Sequence, residues 1–110
     1  MLNEFRQGNT YKLNIQLLNK NEEILDISTI KEVEFSFGKD LKKIYDGTSE
    51  GKVTYNNLKK CFIVPLEQSE TFEMENQISI QARVKFKEDI VKGSLIETYD
   101  VAISLSKEEL

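Results

Sequence analysis

The sequence predicts an all-β protein, an antiparallel sandwich or small barrel of seven to eight short strands, and three observations carry that prediction. Apolar residues alternate with polar ones at period two in several separate segments, the spacing that puts successive side chains on opposite faces of a strand. Alanine occurs only at positions 82 and 102, whereas Thr, Val, Ile, Phe and Tyr together supply 33 of the 110 residues, which favours pleated, half-buried strands over helices. The glycines fall near expected turns, and no segment sustains a helical period. Short strands at roughly ten-residue spacing with turn signals between them are the pattern of a sandwich or barrel. No linker or internal repeat divides the chain, so residues 1–110 read as a single β-sandwich domain.

The first strand spans residues 10–18, with Tyr11, Leu13, Ile15 and Leu17 on one face and Lys12, Asn14 and Gln16 on the other. Asn19-Lys20-Asn21-Glu22 is a turn, because Asn tolerates the left-handed conformation at small cost. Ile24, Leu25 and Ile27 form a short return, and residues 29–32 have capping-box spacing for at most one helical turn. The strand pattern resumes with Val33, Phe35 and Phe37 inward, and Gly38 ends it. Residues 41–45 and 52–55 read as a hairpin around a loop too long for a two-residue turn. A second hairpin turns at residues 56–60 and leads into a strand with Phe62, Val64 and Leu66 inward; Pro65 lacks an N–H, so that strand lies at an edge or ends there. Residues 67–76 are a polar crossover between sheets, anchored by Phe72 and Met74. The cleanest alternation follows: Ile78, Ile80, Ala82, Val84 and Phe86 against Ser79, Gln81, Arg83, Lys85 and Lys87. A turn at 87–89 or 92–93 precedes the last strand, residues 94–105, where Tyr99, Val101, Ile103 and Leu105 share a face; Glu97 falls on the same parity and implies a bulge or an exposed strand start. Residues 106–110 are a polar tail.

Composition excludes whole classes of function. Fifteen basic against nineteen acidic residues give a net charge of −4, which offers no electrostatic pull toward nucleic acid or an anionic membrane. The sequence has no histidine, so a Ser-His-Asp triad, a His-ligated metal and an imidazole pH sensor are absent, and its single cysteine, Cys61, permits neither an intrachain disulfide nor a Cys-rich zinc site. The opening residues lack the basic start and apolar run of a signal peptide, and no stretch approaches the ~20 apolar residues of a membrane span. The expected place of synthesis and first residence is a cytoplasm.

Each chemically suggestive cluster has a plainer alternative. Glu67, Glu70, Glu73 and Glu75 crowd four carboxylates into nine residues, yet lack the Asp, Asn and Gly pattern that shapes a calcium loop, and a solvated loop is preferred. Lys39, Lys42 and Lys43, with Lys59 and Lys60, have no Gly-rich backbone to make a phosphate cradle, and read as lysines that discourage edge pairing. Cys61 reads as a buried or half-buried thiol. Tyr11, Tyr45, Tyr55 and Tyr99 have the parity of core-edge packing rather than of a sugar platform. Ser79, Gln81, Arg83 and Lys85 are a wet sheet face on the plain reading. On the functional one they are a protein-contact face, with Gln81 and Arg83 as anchors. No nucleophile elbow, P-loop or dinucleotide fingerprint occurs, so no catalytic, cofactor-binding or metal-binding residues are expected, and no cofactor.

Residues 5–11 (Phe-Arg-Gln-Gly-Asn-Thr-Tyr), 24–27, 33–38 (Val-Glu-Phe-Ser-Phe-Gly), 64–71, 81–85 (Gln-Ala-Arg-Val-Lys) and 104–108 resemble small proteins of phages and prophages of Gram-positive bacteria. Their arrangement also resembles the immunoglobulin-like N-terminal domain of siphophage baseplate upper proteins. The resemblance implies an immunoglobulin-like β-sandwich and a non-enzymatic structural role in the virion or baseplate. It also implies other phage structural proteins as partners, self-association among the options, and residence in the bacterial cytoplasm during assembly and then in the virion. It brings no catalytic residues, and on the charge balance above neither nucleic acid nor a membrane is an expected partner. Baseplate proteins of that kind continue into a trimerising stalk whereas this chain ends at Leu110, so their receptor-binding scaffold role is not expected to transfer whole. The competing expectation is a carbohydrate- or host-surface-binding module on the same fold, which requires an exposed, coplanar pair of aromatic rings; a small inhibitor of a host factor is a further one.

Overall fold

The computed structural model describes residues 4–48 and 52–102, with the side chains of 94–99 and 102 excepted. The expected loop tip at 49–51, Ile103, Leu105 and the polar tail lie outside the described residues, as does the Tyr99 side chain.

Two sheets carry the chain. The larger contains, in spatial order, β1 (Glu4–Arg6), β8 (Val91–Ala102), β7 (Gln77–Phe86), β3 (Ile30–Phe37) and β4 (Leu41–Tyr45); the smaller contains β2 (Tyr11–Ile15), β6 (Cys61–Leu66) and β5 (Thr54–Asn56). The alternation read in the sequence sets what each face buries: Val33, Phe35 and Phe37 on β3, Ile80, Ala82 and Val84 on β7, and Phe62, Val64 and Leu66 on β6 are all buried in one shared core. Aromatic edges bridge the layers. Phe62 of β6 meets Phe35 of β3 at 5.6 Å and Tyr45 of β4 at 5.0 Å, and Phe5 of β1 meets Tyr11 of β2 at 5.1 Å, tilted and edge-on contacts that suit the ring quadrupoles.

Several connections differ from the sequence expectation. β1 was not foreseen, since Phe5 between Glu4 and Arg6 is too short an alternation to register; it pairs with β8, Phe5 opposite Val101, and that ladder is parallel rather than antiparallel. β7 and β8, at ten and twelve residues, are not short. Residues 41–45 and 52–55 do not form a hairpin: β4 belongs to the larger sheet and β5 to the smaller, with one isolated parallel bridge, Ile44 to Lys52, between the segments. Both strands bury an aromatic edge against Phe62: Tyr55 as its ladder partner in the smaller sheet and Tyr45 from the larger sheet. The β5–β6 hairpin forms as expected, with Asn56 Oδ1 accepting from the N–H groups of Leu58 and Lys59. β6 is the central strand of its sheet, but β5 reaches only as far as Ile63, so Pro65 faces no partner on that side. The bulge expected near Glu97 is present: Ile80 pairs with Glu97 and Gln81 with Leu95, leaving one extra residue in β8. The turn into β8 lies at 87–90, where Asp89 N–H bonds Phe86 O and Asp89 takes a φ of 63°.

The crossover at 67–76 is more ordered than a solvated loop. It contains a short helix, α1 (Gln68–Phe72), and the β1–β2 turn is fastened to it. Gln7 Nε2 donates to Met74 O at 2.7 Å, Gly8 N–H donates to Thr71 Oγ1 at 2.9 Å, and Thr71 Oγ1 donates to Asn9 O at 2.8 Å. Gln7 and Thr71 are buried, so these bonds satisfy polar groups that would otherwise oppose folding.

Candidate functional site

The four residues singled out as a contact face lie on β7, the middle strand of the five-stranded sheet, and point away from the core. Ser79, Gln81 and Arg83 are exposed and Lys85 is half-buried. Ladder register places them in rows with their neighbours. Lys42, Ser36 and Gln81 form one row; Ile44, Glu34, Arg83 and Gly93 form the next; Glu32, Lys85 and Val91 form the third. The face therefore carries an acidic stripe on β3 beside a basic stripe on β7. Arg83 Nη1 lies 3.8 Å from Glu34 Oε1, with the arginine side chain 62% exposed, so water screens the pair and it adds little stability. The Arg83 stem packs beside Gly93, where a Cβ would approach Arg83 Cγ to 3.2 Å. Two exposed apolar side chains flank the charged stripes, Ile44 on β4 and Val91 on β8. Ser79 and Gln81 also border a depression of about 970 Å3 between α1 and the β3–β4 turn, where Asp40, Glu70, Glu73 and Glu75 supply acidic groups. Sequence reasoning placed the β7 half of this face; Glu32, Glu34, Ile44 and Gly93 join it only through strand order.

The fold gives the other clusters structural surroundings. Lys43 was expected among exposed edge lysines, but its parity on β4 turns it inward, where it is buried and its Nζ meets Glu70 at 2.6 Å (Oε2) and 2.8 Å (Oε1). Glu70 Oε1 also accepts the Glu67 N–H at 2.8 Å, so this carboxylate holds α1 onto β4 and is not a free surface ligand. Among the described residues no group of three or more Cys, Asp or Glu side chains is placed to hold a metal ion. Tyr45 and Tyr55 lie edge-on to Phe62 at 75° and 66° and make no coplanar platform. Burial, then the neighbouring Cys61 and Tyr45, push the Tyr55 phenol above its ordinary value. Cys61 is buried. An apolar cleft of about 470 Å3 opens where Leu17, Leu18 and Leu25 meet Ala82, Val84 and Phe86. Among the described residues no helix is long and apolar enough to cross a membrane.

Comparison of the chain with family models, curated proteins and solved structures finds no match.

Proposed function

We propose that the chain is a non-enzymatic phage or prophage structural protein, a virion or baseplate component, that works by docking onto other virion subunits through an immunoglobulin-like sandwich. The sequence resemblance supports the phage origin, and the strand order supports the fold. Lettered in the immunoglobulin manner, β2, β6 and β5 take the places of B, E and D, and β8, β7, β3 and β4 those of G, F, C and C′. Phe35 is a buried aromatic on the C-like strand, the strand on which antibody domains carry a buried Trp, and a single cysteine leaves no inter-sheet disulfide.

The observation that carries the docking role is the outward face of β7. Gln81 and Arg83 project from the central, doubly paired strand of the larger sheet, so their backbone is held before any partner arrives and little ordering entropy is lost on contact. Repetition around a symmetric particle makes weak pairwise contacts sufficient. A carbohydrate-binding role draws no support from Tyr45 and Tyr55, whose edges pack into the core. Mass spectrometry of purified particles tests the reading. The chain is expected at a fixed stoichiometry in washed virions; its absence there, with recovery on a single host protein instead, overturns the structural role.

A further inference from the structure

We infer that the outer face of the larger sheet is a self-complementary surface whose occupant is a second copy of this chain, related by a two-fold axis running between β3 and β7. The inference rests on the docking reading and names the partner of that face. It follows from the row structure. β3 presents Glu32, Glu34 and Ser36 outward, and β7 presents Lys85, Arg83 and Gln81 at the same three heights. A two-fold axis lying in the interface, along the strands and midway between these two, brings β3 of each copy over β7 of the other without changing height. Glu34 then faces the second copy's Arg83, Glu32 faces its Lys85, and Ser36 faces its Gln81, each contact occurring twice, as an isologous interface requires.

The central row of the flanking strands fits the same operation. Ile44 of β4 is 36% exposed and shares its row with Gly93 of β8. The axis sets Ile44 over the second copy's Gly93, so an exposed apolar side chain meets the glycine and the Arg83 stem that packs beside it. Two sheets stacked face to face cross at about 30°, which tilts each copy by roughly half that from the axis and keeps the central row in register. A face with one sign of charge would fit a partner of the opposite sign and repel its own copy. This one sets an acidic stripe, Glu32 and Glu34 on β3, beside a basic stripe, Arg83 and Lys85 on β7, and the two-fold operation exchanges the stripes.

Sedimentation equilibrium of the full chain, at low salt and up to about 1 mM, tests the inference. Dimers are expected, and because the whole chain carries a net charge of −4, the sign of the salt effect is diagnostic. Added salt weakens a dimer held by the stripes, whereas it strengthens one that forms elsewhere against net repulsion. Arg83→Glu alone and Glu34→Arg alone each set like charges against each other twice and weaken association by about tenfold or more. An equimolar mixture of the two variants restores it, since each copy then supplies the charge the other lacks. The control Lys12→Glu, on the exposed side of β2 in the other sheet, leaves association unchanged. A chain that stays monomeric, or a dimer indifferent to both reversals and not rescued by mixing, overturns the inference. Finding such a chain in washed virions would leave the structural reading standing; a charge-dependent dimer absent from virions would sink that reading and keep this one.

Discussion

Gly8 and Gly47 both adopt a φ of 83°, yet their surroundings differ. A Cβ at Gly47 meets nothing within 4 Å, while one at Gly8 would lie 2.7 Å from Phe72 Cζ. Gly47→Ala should therefore cost only the left-handed backbone penalty of about 1–2 kcal/mol. Gly8→Ala should cost more, because Phe72 must move and the bond to Thr71 is disturbed; urea midpoints at constant m-value measure both. Asp46 and Asp26 bear on the acid side of the stability curve. Asp46 accepts from Thr48 Oγ1 at 2.6 Å and from Thr48 N–H at 2.8 Å, and its carboxyl is held below the ordinary 3.8 by the hydroxyl first and the amide second. Asp26 is lowered in the same direction by the Ser28 amide and then its hydroxyl. A lowered folded-state value gives stability that is present above 3.8 and is lost as pH falls through the lower folded value. The stability difference between the parent and Asp26→Ala or Asp46→Ala should be flat near neutrality and shrink below pH 3.8, as read by urea titrations across pH.

At the scale of elements, the placement of α1 turns on Lys43 and Glu70. The lysine side chain is 7% exposed and the glutamate 19%, so the two are unequally dependent on each other. Glu70→Gln leaves an ammonium group buried without its counter-charge and should approach the ~3–5 kcal/mol lost when one member of a buried pair is removed. Lys43→Met leaves a carboxylate with more access to water and should cost less, and the double variant should recover part of the loss in chemical denaturation. Neither role was legible beforehand. Four glutamates in nine residues look like a solvated loop, and a lysine between Lys42 and Ile44 looks like an edge charge; the inward turn of Lys43 follows from its register opposite Phe35. The same limit explains the misplaced hairpin. Period two states which face of a strand is buried, not which strand it joins, and β4 and β5 satisfy their inward residues in different sheets.

Across the whole molecule, the two sheets share one core, to which β6 contributes Phe62, Val64 and Leu66. Cys61, 4% exposed beside Phe62 at the start of β6, should react with an aromatic disulfide reagent at a rate that follows the population of molecules in which β6 has opened, slow in buffer and fast in denaturant. Fast labelling in native buffer would show that β6 opens locally. Alternation of apolar and polar residues was enough to specify an all-β chain, the inward sets of β2, β3, β6 and β7, and the β8 bulge, because side-chain parity is a local property of extended backbone. Strand order, the parallel pairing of β1 with β8, and the inward ion pair of Lys43 depend on contacts between residues far apart in the chain. So does the neighbourhood of the candidate face: Arg83 was visible as an exposed residue of one strand, but its place beside Glu34 and Gly93 exists only once three strands lie side by side.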